Sequence, residues 1–399
     1  ITAFAFYRQG VIVAQPPEIL FLRDADGDGA LDHRETLFTG FGARDPRSSL
    51  SSFRWGLDGW LYAALGVSGV EATPIRGQGE RAFGPIGPGL LRFKPDGSAL
   101  EQVVAITNNT GGFDFSWDGE IFFAQAPGAH LSQVLVPERV LGTNRVGNAT
   151  AAKALADHQR VASLVNDAWP FQASVSATSA EFRQPAGAMV YEGGAWPMRY
   201  HGAYFLCDPA ARVVHEDVFC TLENFGLEAT RRDEQEFLAS TDPWFCPVQL
   251  RFGPDGAAYL LDFYSRFGFW DNSRRTGPAR LDCEAQLGRV WRLQHQAARR
   301  LQAPALDRAT PLELLKALEH PNAWVRLTAQ RLLVESGDAS VAPPLAALLT
   351  NRVPHVRLHA LWCLQHLGAL TETNLAVVLT NYPHPLVQRA AFRVLEEFA

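Results

Sequence analysis

Residues 53–62 read FRWGLDGWLY, and the pattern returns as LRFKPDGSAL (91–100), FDFSWDGEIF (113–122) and LRFGPDGAAY (250–259). Counted from the Asp of each Asp-Gly pair, Phe or Leu stands five residues before, an aromatic three before, and Leu or an aromatic four after. Asp-Gly between alternating apolar positions is a hairpin signal, because glycine takes the positive φ that the turn demands. Repeated short hairpins with aromatic punctuation point to small antiparallel sheets arranged radially, as in a β-propeller.

The uneven spacing has a simple reading. Asp58 turns an inner hairpin, Asp96 the outer hairpin of the same blade, and Asp118 the inner hairpin of the next. AGAMVYEGGAWPMRYHGAYFLCDPAARVVHEDVFC (186–220) reads as a further blade with CDPAARV at a turn, and GRVWRL (288–293) as the outer strand of the last. That makes about four blades and a piece of one before Asp24, fewer than most closed rings. The expected fold of residues 1–298 is an all-β propeller, incomplete at the N-terminus. ATAAKALADHQRVASLVN (149–166) puts Leu155, Val161, Leu164 and Val165 on one helical face, which predicts a helical insertion between blades.

From residue 299 the strand signals stop. Val325, Val356 and Val387 recur every 31 residues, as do Ala329, Ala360 and Ala391, and Leu333, Leu364 and Leu395. Each unit is an apolar helix, a Pro-containing turn and a second helix, so residues 299–399 are expected to stack as an α-solenoid of HEAT-like repeats. His320, His355 and His384 fall in the turns, spaced along the solenoid rather than converging as metal ligands must.

The stretch LRDADGDGALDHRE (22–35) fits a twelve-residue calcium loop, with Asp24, Asp26, Asp28, Asp32 and Glu35 as ligands and Gly29 at its turn. Its flanks, EILFLR and ETLFTGF, suit strands rather than the helices of a calcium-sensor hand. Set beside GLLRFKPDGSALEQVVAI, the stretch becomes another outer hairpin. Calcium is expected at its tip as a structural staple, with Glu35 drawn into the returning strand.

The 399 residues carry a formal charge of −6, which gives no electrostatic reason to expect nucleic acid as a partner. No apolar run approaches the roughly 18 residues of a membrane span. The chain opens at Ile1 without a Met, as a fragment or processed product would. No two of the five cysteines, Cys207, Cys220, Cys246, Cys283 and Cys363, are spaced C-x-x-C, so neither a structural zinc site nor an attached haem is expected.

EFLASTDPWFCPVQLRFGPDGAAYLLDFYSR (236–266), YEGGAWPMRYHGAYFLCDPAARVVHEDV (191–218) and DADGDGALDHRETLFTGFGARDPRSSLSSFRWGLDGWLY (24–62) resemble the membrane-bound dehydrogenase family of planctomycetes and Verrucomicrobia. That family joins a propeller similar to the quinoprotein glucose and sorbosone dehydrogenases to HEAT repeats and, usually, to a C-terminal c-type haem domain, whose C-x-x-C-H motif is absent here. The resemblance implies a periplasmic or otherwise extracytoplasmic oxidoreductase, membrane-associated in its full-length form. It would oxidise a sugar or alcohol with calcium and pyrroloquinoline quinone, and pass electrons to a c-type haem domain or cytochrome. The HEAT repeats could hold a protein partner.

The resemblance also implies a histidine before the first hairpin, where this chain has Arg47 and Ser48, so Asp45 becomes the candidate base. Asp262, Tyr264 and Arg266 follow an apolar strand and are expected to emerge together as a catalytic cluster. Arg54 and Arg251, each four residues before a turn Asp, are candidates for binding an anionic quinone; Arg92 shares the position, which also allows a structural role. His201 and His215 are further candidate bases with a competing reading as turn residues. A propeller that has lost its base would instead be a non-catalytic scaffold for a glycan or partner protein; a calcium-dependent hydrolase ranks third. An axial cavity containing a carboxylate or histidine near two cationic groups would favour the enzyme, and a channel plugged by aromatic side chains would sink it.

Overall fold

A computed structural model of the chain describes residues 1–45, 48–71, 73–126, 128–141, 150–156, 158, 160–162, 164, 180–182, 184–221, 226–264, 287–381 and 384–396. The first blade is β1 (Ala3–Tyr7), β2 (Gly10–Gln15), β3 (Glu18–Arg23) and β4 (His33–Thr39). The second combines β5 (Leu50–Trp55) and β6 (Leu61–Leu65) with β9 (Gly89–Phe93) and β10 (Leu100–Ala105), while β7 (Ile75–Gly77) and β8 (Ala82–Phe83) extend the first sheet. The third is β11 (Asn109–Phe115), β12 (Ile121–Ala126), β13 (Ser132–Val134) and β14 (Ala152–Ala154), with the short helix α1 (Glu138–Leu141) between β13 and β14. A small pair, β15 (Arg160–Val161) and β16 (Ala180–Glu181), precedes the fourth blade, β17 (Ala186–Val190), β18 (Tyr204–Asp208), β19 (Val213–Thr221) and β20 (Leu227–Arg231), with β21 (Leu238–Ala239) beside β19. The fifth is β22 (Pro247–Phe252), β23 (Ala258–Asp262) and β24 (Arg289–Leu293).

The inner strands β1, β5, β11, β17 and β22 are neighbours in that order, so the sheets stand radially as propeller blades. The Asp-Gly turns form as the repeat requires: Gly59, Gly97, Gly119 and Gly256 take φ of 69°, 76°, 83° and 74°. Asp58, Asp96 and Asp255 brace their turns by accepting the backbone N–H two residues on, at 3.2, 3.0 and 3.1 Å. At the centre, β11 and β17 approach closely; a Cβ on Gly112 would come within 2.9 Å of Gly187 N. The hydrophobic cores lie between blades, for example Phe38, Phe53 and Phe93 between the first and second.

Two expectations change. The piece of a blade before Asp24 is part of a complete four-stranded sheet, since β1 and β2 already pair there and β4 completes it. The segment 149–166 holds strands, not the expected helix: Leu155 N donates to Leu131 O at 3.0 Å and its carbonyl accepts from Ala229 N at 3.1 Å. Hydrogen bonds to two neighbouring blades thus replace the i→i−4 bonds of a helix. Leu155 and Val161 are buried in that interblade core, Leu164 is exposed, and Val165 lies outside the described residues.

The C-terminal helices are α2 (Pro311–Ala317), α3 (Ala323–Ser336), α4 (Ala342–Leu348), α5 (Pro354–His366), α6 (Glu372–Ala376) and α7 (Pro385–Glu396). Thr310 and Glu313 make a capping box, and Gly337 closes α3 in the left-handed conformation. The repeating Val, Ala and Leu positions build one solenoid core, and Leu57, from the tip of the second blade's inner turn, enters it. The solenoid lies across the inner-turn face of the propeller. Asn322, the N-cap of α3, donates to Gly253 O at 2.8 Å, while Gln330, two turns along, donates to Leu57 O at 2.8 Å. Arg389 and Arg393 pair with Asp118 and Glu120 of the third blade's turn. Helix α3 therefore spans one end of the propeller axis.

Candidate functional site

Four residues before each turn Asp, the inner strand carries a side chain toward the axis. In β5, β11 and β22 that residue is Arg54, Asp114 and Arg251. The three converge: Arg54 Nε lies 3.7 Å from Asp114 Oδ1, and Gln249 Oε1 accepts from Arg54 Nη2 at 3.1 Å and from Arg251 Nη2 at 2.7 Å. Asp114 Oδ2 accepts from Val190 N at 3.1 Å, which ties the site to the fourth blade.

The electrostatics of this centre are set by burial. Asp114 keeps 12 % of its side-chain surface, and loss of water raises its carboxyl to about 6, with Arg54 opposing the rise and Glu192 adding to it. Desolvation also brings Arg54 down to about 10. Arg54 retains 21 % side-chain exposure; its Nη1 donates to Phe53 O at 2.7 Å, and its enclosed Nε faces Asp114 without a hydrogen bond. Arg251 is more committed, donating to Leu250 O at 2.8 Å and to Ala188 O. Such a set can accept a proton at Asp114 and stabilise an anionic oxygen at Arg54.

Below the centre the solenoid provides a polar floor. Arg326 in α3 donates to His320 O and Pro321 O and contacts His359 Nε2 at 3.3 Å, and His359 in turn meets Gln330 Oε1 at 2.6 Å. Glu192, buried beside His201 at 3.4 Å, faces the same region. A cavity of about 350 Å³ also opens between propeller and solenoid, lined in part by Asp58, Tyr62, Arg92, Trp362 and Arg393. Its charges are paired, Arg92 with Asp58 at 2.6 Å and Arg393 with Glu120.

The residues singled out by sequence fall in several places. Arg54 and Arg251 meet at the axis, whereas Arg92 is held in its own blade by Asp58 and Glu101. Asp262 lies at the other end of the fifth blade, paired with Pro247, while Arg251 pairs with Tyr259 near the turn. Its carboxylate accepts from Cys246 N, Tyr264 N and Trp291 Nε1 at 2.8, 2.9 and 3.1 Å, and so fastens the strand end. Tyr264 stacks under the Arg289 guanidinium with φ of 48°. The Asp45 carbonyl accepts from Ser48 N at 3.1 Å. Arg47, Arg266 and Cys283 lie outside the described residues; Cys207, Cys220 and Cys363 are free thiols.

In the acidic hairpin, carboxylate oxygens of Asp24, Asp26 and Asp28 lie within 4.8 Å of one another. Asp24 accepts from Gly27 N and Gly29 N at 2.6 and 2.9 Å, which holds its carboxyl below the usual range. Asp32 accepts from Ala25 N at 2.7 Å, and Glu35, in β4, accepts from Gln78 across the sheet. Asp114 and Gln249, central to the axial site, had not been picked out by sequence. The signal was present for Asp114, which occupies the repeat position of Arg54 and Arg251.

Residues 1–297 match the family model described as a domain of unknown function, DUF7133, and residues 311–396 match that of HEAT repeats. Among solved structures, the chain is similar to a luciferin-regenerating enzyme (10 % identity, TM-score 0.43, covering 76 % of this chain and 80 % of that one). It is similar also to the calcium-binding protein regucalcin of Agrobacterium tumefaciens strain C58 (13 %, TM-score 0.38, 75 % and 77 %) and to a glucose dehydrogenase (15 %, TM-score 0.35, 74 % and 96 %). No curated protein matches the sequence.

Proposed function

The chain belongs to the DUF7133 family, and we propose that its propeller is an oxidoreductase-like domain that oxidises a sugar or alcohol at the axial centre. The observation that supports this reading most is a buried carboxylate, Asp114, with its pKa brought near 6 beside the Arg54 side chain, which stays partly exposed and lies 3.7 Å away. A base poised close to working pH is what hydroxyl-proton removal needs. Asp114 takes that proton, and Arg54 stabilises the oxygen as it gains charge. Gln249 bridges the two guanidiniums through its side-chain oxygen, and α3 covers the far end of the axis.

Oxidation to the carbonyl also removes a hydride, and a quinone bound here would supply the two-electron acceptor. The donor set fits such a group in charge: the Arg54 guanidinium would hold one of its carboxylate or carbonyl oxygens, with Arg251 adding charge. Calcium does not fit the axis, since it takes six to eight oxygens and this set is two guanidiniums, an amide and one carboxylate. On this reading the protein works outside the cytoplasm and hands electrons to a c-type haem domain or cytochrome. The test is dye reduction by the full chain with pyrroloquinoline quinone and a panel of sugars and alcohols. Reduction by one substrate class, lost in Arg54→Ala, supports the proposal; no quinone binding and no reduction across the panel rejects it, in favour of a non-catalytic scaffold.

A further inference from the structure

A second constellation lies away from the axis, between the third and fourth blades. His130 comes from the turn between β12 and β13, His158 from the connection between β14 and β15, and His215 and Asp217 from one face of β19. We propose that these four side chains bind one divalent transition-metal ion of the zinc class, as a structural staple between blades. This does not depend on the axial chemistry.

The geometry carries the assignment. One ligand atom from each residue lies within 4.8 Å of all the others. The Nε2 atoms of His158 and His215 face each other at 3.2 Å, Asp217 Oδ1 is 3.1 Å from His215 Nε2 and 3.8 Å from His158 Nε2, and Asp217 Oδ2 is 2.9 Å from His130 Nε2. A tetrahedral ion with bonds near 2.0–2.1 Å sets its ligand atoms about 3.3 Å apart, so these spacings need only small adjustment. Three imidazoles and a carboxylate suit zinc and its neighbours rather than calcium or magnesium, which prefer oxygen.

The surroundings are those of a ligand set. His215 turns Nε2 inward because its Nδ1 faces Glu236 Oε2 at 2.6 Å, and Glu236 is itself held by Arg231 and by Ala162 N at 2.7 Å. A carboxylate behind a histidine fixes the tautomer and ring angle that a metal needs. Phe182 stacks on His130 at 4.2 Å between ring centres, and Tyr204 Oη donates to the His130 carbonyl at 3.1 Å. The side chains of His130, His215 and Asp217 are at most 1 % exposed, and His158, at 16 %, is the ligand on the approach from solvent. Four protein ligands leave no open coordination position, which marks a structural rather than a catalytic ion. The expectation of no structural zinc rested on cysteine spacing alone; histidines brought together by the blades provide another route.

The test uses the full chain, stripped with a chelator and titrated with CoCl2, then ZnCl2. A visible cobalt band typical of four-coordinate N/O ligation, saturating at one equivalent and bleached by zinc, is expected, with Tm raised by several degrees by ZnCl2 and not by CaCl2. Asp26→Ala/Asp28→Ala should leave the band unchanged, and His158→Ala should weaken cobalt binding at least about tenfold while preserving the circular dichroism spectrum. Folded wild-type protein without a stoichiometric cobalt band overturns the assignment, whether or not the variant folds. So does unchanged affinity in His158→Ala.

Discussion

The axial centre and the interblade cluster are both buried polar sites, yet they are built in opposite ways. Arg54, Asp114 and Arg251 occupy one position of a repeated hairpin, so propeller symmetry alone delivers them to the axis. His130, His158, His215 and Asp217 come from unrelated connections and one strand, and meet only because the third and fourth blades pack. At the axis the Arg54–Asp114 ion pair is long, 3.7 Å, and Arg54 Nε makes no hydrogen bond, whereas each carboxylate around His215 has several close partners. A long ion pair at the axis can yield to a ligand; tightness between blades suits a staple.

If that contrast is right, damage at the two sites should separate stability from activity. Asp217→Ala leaves buried imidazoles without their shared carboxylate and should cost about 3–5 kcal/mol in urea denaturation, with the propeller failing as a whole. Loss of less than about 1 kcal/mol would remove the staple from the account. The joint between domains comes next. Leu57→Ala empties a site in the solenoid core and should cost about 2–4 kcal/mol, and should expose the end of the axis that α3 covers, read as faster amide exchange in residues 113–119.

A smaller effect separates the sites by pH. Asp114 binds its proton more tightly in the folded chain, near 6, than an unfolded Asp does, near 3.9. That contribution to stability is present below about pH 4 and is lost as pH rises through 6. Asp114→Asn should therefore flatten the stability profile between pH 4 and 6 and make the protein more stable at pH 7, by roughly 1–3 kcal/mol before any loss from the Arg54 pair. A profile that keeps its slope would place the raised pKa elsewhere. The smallest change is expected at the exposed hairpin, where Asp26→Ala or Asp28→Ala should abolish calcium uptake in calorimetry and shift stability without calcium by less than about 0.5 kcal/mol.

The same contrast governs what could be read from sequence. A repeat announces itself, so the turns at Asp58, Asp96, Asp118 and Asp255, the strands around them and the solenoid were legible. Arg54 and Arg251 followed from the repeat; Asp114 holds the same position, but its place opposite Arg54 shows only when the blades stand side by side. Leu57 and Trp117, large apolar residues at turn tips, were a readable sign that something covers that face. The histidine cluster had no such signal. His130, His158 and His215 share no motif spacing, and His215 alone drew notice, as a base. The 149–166 segment was misread for a related reason: its apolar spacing suits a helix, but its backbone is claimed by strands on either side. Asp262 looked catalytic because it ends a buried strand, and the structure shows three donors that use it to end that strand.

The central claim is that Asp114 is the proton acceptor at the axis. Its most direct test is the pH dependence of dye reduction by wild-type and Asp114→Asn full chains on the best substrate of the panel. The account predicts wild-type activity rising with pH through about 6, as the carboxyl ionises, and a fall of at least about a hundredfold in Asp114→Asn with substrate binding retained. Unchanged turnover in Asp114→Asn, or a wild-type profile that is flat across pH 5–7, would contradict it.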